Sequence, residues 1–371
     1  MRFALLALAL VVAAPAWAQD RVDSKAGPLR VETVAKGLEH PWGLAFLPDG
    51  GMLVTERPGR LRRVGPDGKL SEPLKGVPRV AAQGQGGLLD VVLDPNFAQN
   101  RLVYLTYAEP RGNGAATAAG RGRLSRDGSA LEDFKPIFRQ EPAVAGGRHF
   151  GSRLAFTPDG KLFVSTGDRG QETPSQDLDS LIGKLVRINP DGSIPSDNPF
   201  VGYANARDEI WSWGHRNIQG LAVQPGTGTL WSLEFGPRGG DALTAPQAGD
   251  NYGWPEVSYG SQYDGRPIPN PGTRPEFTQP VRHWTPAISP SGMTFYSGTA
   301  IPAWKGSLLI GGLTFQGIVR LSIEGRRVTG EERIPLGARI RAVREGPDGA
   351  VYVLVDRSNG EIRRLTPAGR S

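Results

Sequence analysis

Four histidines occur in the 371-residue chain, and His149 stands in a setting suited to proton transfer. It lies in Gly146-Gly147-Arg148-His149-Phe150-Gly151-Ser152-Arg153, just ahead of the strand-like run Leu154-Ala155-Phe156. A second loop downstream carries Gly167-Asp168-Arg169-Gly170. Imidazole titrates near neutral pH. A carboxylate on a neighbouring loop can fix its tautomer and orientation, which is how a general base is held. On local sequence alone, His149 serves equally well as a structural loop residue.

Four further loops have unusual composition. They are Gly84-Gln85-Gly86-Gly87-Leu88, Gly214-His215-Arg216-Asn217-Ile218-Gln219-Gly220, Glu234-Phe235-Gly236-Pro237-Arg238-Gly239-Gly240-Asp241 and Arg339-Ile340-Arg341. Arginines on several loops suit a ligand with several carboxylates, through bidentate charge-assisted bonds. Gly236-Pro237 offers backbone carbonyls with little side-chain obstruction, the donors that a hard cation such as calcium takes. Three of these loops also have a plainer reading. Gly84 to Gly87 is by itself a turn, and His215 packs against Trp211 or Trp213. Arg339 and Arg341 alternate as residues on a solvated strand face do. Trp254, in Asn251-Tyr252-Gly253-Trp254-Pro255, is a candidate for the border of the site.

A repeat explains how such loops would meet. Leu44-Ala45-Phe46-Leu47-Pro48-Asp49-Gly50 leads into Met52-Leu53-Val54, and Leu154-Ala155-Phe156-Thr157-Pro158-Asp159-Gly160 leads into Leu162-Phe163-Val164. Leu221-Ala222-Val223 and Val343-Arg344-Glu345 open two more copies, and Leu89 to Pro95 and Met293 to Tyr296 open two looser ones. Each copy reads as strand, turn and strand. Proline presets φ for the turn, and Asp-Gly supplies its backbone freedom. Six such units predict an all-β fold, a six-bladed β-propeller of four-stranded antiparallel blades. A propeller gathers one loop per blade around its axis. Val31 to Val34 is expected to add the outer strand of the last blade and close the ring. Arg111 to Gly122 reads as a mobile loop, Leu124 to Ser129 as a hairpin, and Tyr259 to Pro280 as a Pro-rich excursion.

Met1-Arg2, the apolar run Phe3 to Ala14 and Ala16-Trp17-Ala18 form a secretory signal peptide over residues 1–18. The mature chain then begins at Gln19, with 19–371 as one propeller domain, soluble, exported and periplasmic. The apolar run is too short to span a membrane, and no other segment qualifies. Cys is absent, which excludes thiolate catalysis, c-type haem attachment and Cys-ligated metal centres. A net charge of +6 without a Lys/Arg block reads as a soluble basic surface, not a nucleic-acid interface. Nucleophile-elbow, Walker, His-Glu-x-x-His and dinucleotide fingerprints are all missing.

Taken in order, these segments, together with Gly183-Lys184-Leu185-Val186-Arg187-Ile188 and Asp191 to Phe200, resemble the soluble pyrroloquinoline-quinone-dependent sugar dehydrogenases, in particular the aldose sugar dehydrogenase branch. The resemblance runs from about His40 to Pro367. It implies pyrroloquinoline quinone (PQQ) and Ca²⁺ at the axial mouth. It implies His149 as the base acting on the anomeric hydroxyl, Asp168 as its holder and Arg216 as the stabiliser of developing charge. Gln85, His149, Arg216, Asn217, Arg339 and Arg341 would contact the quinone, the carbonyls of Gly236 and Pro237 would bind Ca²⁺, and Tyr252 would serve a second Ca²⁺. The implied substrate is an aldose, oxidised to a lactone, with a separate cytochrome or quinone as electron acceptor.

Three positions depart from the family pattern. Thr314 stands in the region where a cofactor-contacting lysine is common, Phe235 where a polar residue is usual, and Ala242 where a glutamate helps bind the second calcium. Two other functions compete. One is a metal-dependent lactone hydrolase, which needs Asp, Glu and Asn ligands converging on the axis. The other is a non-catalytic propeller that binds sugar or a partner protein.

Overall fold

The Pro-Asp-Gly turns become tight hairpins between the first two strands of three of the blades. In the computed structural model, which describes residues 20–369, Leu44 pairs antiparallel with Val54, Leu154 with Val164 and Val343 with Val353. Gly50 and Gly160 take φ of +82° and +77°, a left-handed conformation that glycine adopts without steric cost. The expected signal peptide and the start at Gln19 lie outside the described residues.

Six antiparallel sheets follow one another around a ring. Blade 1 holds Pro41–Phe46, Met52–Glu56 and Arg60–Val64, and blade 2 Leu88–Leu93, Leu102–Arg111, Gly114–Leu124 and Leu131–Arg139. Blade 3 holds Leu154–Phe156, Leu162–Ser165, Leu185–Ile188 and Ile210–Ser212, and blade 4 Ile218–Val223, Leu230–Glu234, Asp241–Thr244 and Arg282–Trp284. Blade 5 holds Pro290–Phe295, Leu308–Gly312, Gly317–Glu324 and Arg327–Pro335. Blade 6 holds Ile340–Glu345, Val351–Val355 and Gly360–Pro367. Its outer strand is Leu29–Leu38, paired along Gly360–Pro367, so the two ends of the domain share one sheet and the ring closes as expected. Strand number varies where the ring is closed. Asp20–Val22 adds a short fifth strand to blade 6. Beyond its third strand, blade 1 has a bridge between Val64 and Leu70, and the N–H groups of Ser71 and Leu74 donate to the carbonyls of Arg63 and Leu61.

One expectation is corrected. Arg111 to Gly122 is no loop: Gly114–Leu124 is an eleven-residue strand in the middle of blade 2. Its Gly and Ala residues are small because neighbours press on them. A Cβ on Gly120 would sit 2.4 Å from the Phe134 ring, and one on Gly122 2.7 Å from Leu131. Composition suggested mobility where the cause is close packing. The turn at Leu124 to Ser129 does join two strands, and Tyr259 to Pro280 holds one short 3-10 turn, Pro271–Thr273.

Apolar residues fill the spaces between blades, including the fully buried Trp231 and Trp304. The axis itself is polar. Arg153, buried, donates to Asp90 Oδ1 at 3.1 Å, to the Gln219 carbonyl at 2.7 Å and to the Arg341 carbonyl at 2.9 Å. Its guanidinium lies 3.8 Å from the centre of the Trp42 ring. Burial lowers its pKa to about 9, against the charge of Asp90. Removing Arg153 would leave Asp90 buried without its principal partner, a change that typically costs ~3–5 kcal/mol.

Candidate active site

The loops entering each first strand and those leaving each second strand meet at one end of the axis. There they surround a cavity of about 510 Å³ to which all six blades contribute. Trp42, Arg57, Gln85, Phe150, Gly151, Gln219, Phe235, Leu313, Arg339, Arg341 and Asp356 are among its walls. A smaller cavity of about 50 Å³ adjoins it, with Phe235 as a shared wall, and contains Arg216, Gly236, Pro237, Tyr252 and Trp254. The sequence-derived loops thus converge as expected, but on two adjoining spaces.

His149 is buried, with φ of +54°. A non-glycine residue in the left-handed region is uncommon and is held there by its surroundings. Gln85 Oε1 accepts its backbone N–H at 2.8 Å. Gly167 must lack a side chain, because a Cβ there would sit 2.0 Å from the His149 carbonyl oxygen. His149 Nδ1 lies 2.6 Å from Asp168 Oδ1. Asp168 Oδ1 also accepts from the Gly170 N–H at 2.7 Å, and Oδ2 accepts from Trp254 Nε1 at 2.8 Å. Burial works to raise the Asp168 pKa, but the hydrogen bond and charge of His149, the Gly170 N–H and the charge of Arg216 together lower it. The carboxylate is therefore ionised and accepts only. His149 must donate through Nδ1, leaving Nε2 as the basic nitrogen.

Two of these supports were absent from the sequence reading. The Trp254 contact with Asp168 spans 86 positions and had no local signal. Arg169, buried behind Asp168, stacks 3.6 Å from the Phe150 ring centre and donates to the carbonyls of Gly146 and Arg148. It ties down the segment that carries His149.

The remaining positions divide. Arg216 Nη1 donates to the Gly236 carbonyl at 2.9 Å and Nη2 to the Tyr263 hydroxyl at 3.2 Å, while Nε is buried without a partner. Asn217 Oδ1 accepts from the Gly151 N–H at 3.0 Å, and its buried Nδ2 has no partner. Arg341 is buried, donating to Asp356 Oδ2 at 2.7 Å and to Gln219 Oε1 at 3.1 Å. Arg339 is exposed at the rim. His215 is buried, with partners other than the expected tryptophans. It sits between Glu234 and Ser212, at 3.2 and 2.9 Å, and packs on Tyr252.

Sequence reasoning missed Arg57, His40 and Asp356 on the cavity wall. Asp356 accepts from Arg341 and contacts His40 Nδ1 at 2.9 Å. Burial works to raise its pKa, but the charge of Arg341, the His40 and Arg341 hydrogen bonds and the charge of Arg57 hold it at about 2. Burial lowers the pKa of Arg57, with Asp356 raising it and Arg341 and Arg339 lowering it further. A signal was present. Arg57 and Asp356 directly follow the second strands of blades 1 and 6, the same place in the repeat as the Asp168 and Phe235 loops.

This arrangement can be set beside known proteins. The family model described as Glucose / Sorbosone dehydrogenase matches residues 38–364. The chain belongs to that family. It is an oxidoreductase of the sugar dehydrogenase kind. An aldose sugar dehydrogenase of Escherichia coli is 48% identical over 349 residues, 91% of this chain and 93% of that one. The crystal structure of the E. coli soluble aldose sugar dehydrogenase in its apo form has TM-score 0.88 and 47% identity, covering 92% of this chain and 100% of that chain. A PQQ-bound aldose sugar dehydrogenase from Streptomyces coelicolor has TM-score 0.75 and 30% identity, covering 91% of this chain and 98% of that one.

Within the family pattern, the three departures can now be placed. Thr314 is exposed, its hydroxyl 2.9 Å from Ser289 Oγ. Phe235 divides the two cavities. Ala242 lines the smaller cavity beside Tyr252 and brings no carboxylate to it. Asp241, one residue earlier, is spent on the backbone N–H groups of Gly236, Ile288 and Ser289. Burial pushes its pKa up to about 6 against those donors. Among the described residues no three His, Cys, Asp or Glu side chains cluster to hold a metal ion.

Proposed function

We propose that this sugar dehydrogenase is an exported, periplasmic enzyme that oxidises aldoses at C1 to lactones with PQQ and calcium. The observation that carries the reading is the His149–Asp168 pair beside a cavity ringed by guanidinium groups. The residues present fit a flat polyanion. Among the described residues, Arg57 and Arg339 line the cavity without an ion-pair partner, whereas Arg341 and Arg357 have one. Arg216 Nε and Asn217 Nδ2 are buried donors still lacking acceptors. Such unpaired groups are costly unless a ligand completes them.

When bound, the quinone supplies a two-electron acceptor for the C1 hydride, and calcium a Lewis acid beside it. The protein's part is proton handling and charge. His149 Nε2 takes the proton of the anomeric hydroxyl, and Asp168 keeps the ring in the tautomer that can accept it. The resulting imidazolium is stabilised by the buried carboxylate 2.6 Å away. Arg216 lines the smaller cavity, where its charge can oppose negative charge developing on oxygen. The carbonyls of Gly236 and Pro237 would hold the calcium, the Gly236 oxygen also accepting from Arg216 Nη1 at 2.9 Å. Electrons leave to a separate acceptor, a cytochrome or a membrane quinone, because the chain has no Cys for haem attachment.

The test is direct. Purified protein with PQQ and Ca²⁺ should reduce an artificial dye when glucose or another aldose is added. Failure with every aldose overturns the proposal, and lactone hydrolysis without quinone would support the hydrolase in its place.

A further inference from the structure

The cavity wall itself carries a His–Asp pair, distinct from His149 and Asp168. His40 Nδ1 lies 2.9 Å from Asp356 Oδ1, and its half-exposed ring lines the same wall as Arg57 and Arg339. Its backbone is fixed at both ends: the N–H donates to the Arg357 carbonyl at 2.9 Å, and the carbonyl accepts from the Arg57 N–H at 3.2 Å. Like His149, it has a left-handed backbone, with φ of +47°. Nε2 has no protein partner among the described residues and is not enclosed.

The charges around this ring are mixed. Arg57, Arg339, Arg341 and Arg357 line the cavity with it, and the carboxylates facing it are Asp356 and Glu39. Glu39 is paired with Arg60, and Asp356 is shared with Arg341. Asp356, ionised across the working range, accepts only, so Nδ1 carries a proton whatever the ring's charge. The neutral ring then turns a lone pair toward the cavity, which repels a ligand carboxylate. The protonated ring turns an N–H donor there instead, and a charge-assisted bond of that kind is about twice as strong as a neutral one.

We propose that His40 is a further contact for the anionic ligand of this cavity, donating from Nε2 to a ligand carboxylate and taking up a proton from solvent as the ligand binds. The inference rests on the proposed quinone, whose carboxylates supply the anion. His40→Asn is the informative variant. Its amide nitrogen takes the place of Nδ1 toward Asp356, asparagine tolerates a left-handed backbone, and it cannot titrate.

Calorimetric titration of PQQ into each protein near about pH 7, where imidazoles titrate, in two buffers of different ionisation enthalpy, measures affinity and proton uptake together. The wild-type protein should take up a fraction of a proton that His40→Asn does not, and the variant should bind about tenfold more weakly. Its thermal midpoint should match the wild type, which separates a lost contact from a damaged fold. Equal proton uptake in the two proteins overturns the role of His40, even if affinity falls. No binding of the quinone by the wild-type protein overturns both this inference and the function proposed above.

Discussion

The two His–Asp pairs at the axial end of the propeller, one behind the cavity wall and one on it, have similar contacts and opposite surroundings. His149 is buried, and both oxygens of Asp168 are saturated by the Gly170 N–H, the Trp254 indole and the imidazole itself. His40 is half-exposed among guanidinium groups, and Asp356 divides itself between the ring and Arg341. A carboxylate spent on fixing one histidine makes a base of defined tautomer. A carboxylate shared with an arginine leaves its histidine open to the cavity beside guanidinium groups. The pair alone does not define the chemistry; the partners of the carboxylate do.

The largest effect should come from the buried pair. His149→Ala should lower kcat by about 10³ or more while leaving quinone affinity within a few-fold, as single-turnover and titration measurements would show. Retained turnover would remove the base from the mechanism. Next, Asp168→Asn should lower kcat by about a hundredfold, because the amide no longer enforces donation from Nδ1. The folded-state pKa of Asp168 is depressed, so its contribution is present above the ordinary aspartate range. That contribution is lost as pH falls through the lowered folded value, and the acid limb of stability should begin below about pH 4.

Smaller effects should sharpen the contrast on the cationic side. Arg57→Gln and Arg339→Gln should each weaken quinone binding by about tenfold, with kcat at saturating cofactor little changed, and the loss should shrink at high salt. A fall in kcat instead would place these arginines against the reacting atoms. The smallest effect expected is that of Trp254→Phe, which removes one donor from Asp168. A fall of about fivefold in kcat, with quinone affinity unchanged, would confirm that the indole acts through the buried pair.

Much of this was legible in the residues. The Pro-Asp-Gly hairpins announced the blades, because a tight turn between two apolar runs needs that chemistry wherever it occurs. The axial loops were legible for a related reason: Gly, Arg and His recur together in loops that flank the inner strands. The Gly114–Leu124 strand was not, since small residues forced by packing look in one dimension like small residues in a mobile loop. The Pro-rich excursion from Tyr259 was recognisable as irregular, but its contact between Tyr263 and Arg216 was not.

His149 and Asp168 were paired from their loops because both flank neighbouring strands of one blade, 19 positions apart. Periodicity and turn chemistry act over a few residues, so the linear chain determined the propeller, its closure and the loops that face the axis. Only the tertiary structure decided which side chains share the cavity. It brought Trp254 to Asp168, His40 to Asp356 and the Arg216 guanidinium to the Gly236 carbonyl. Those contacts arise between blades or across loops, where the curvature of the ring sets the distance and no local pattern in the chain records it.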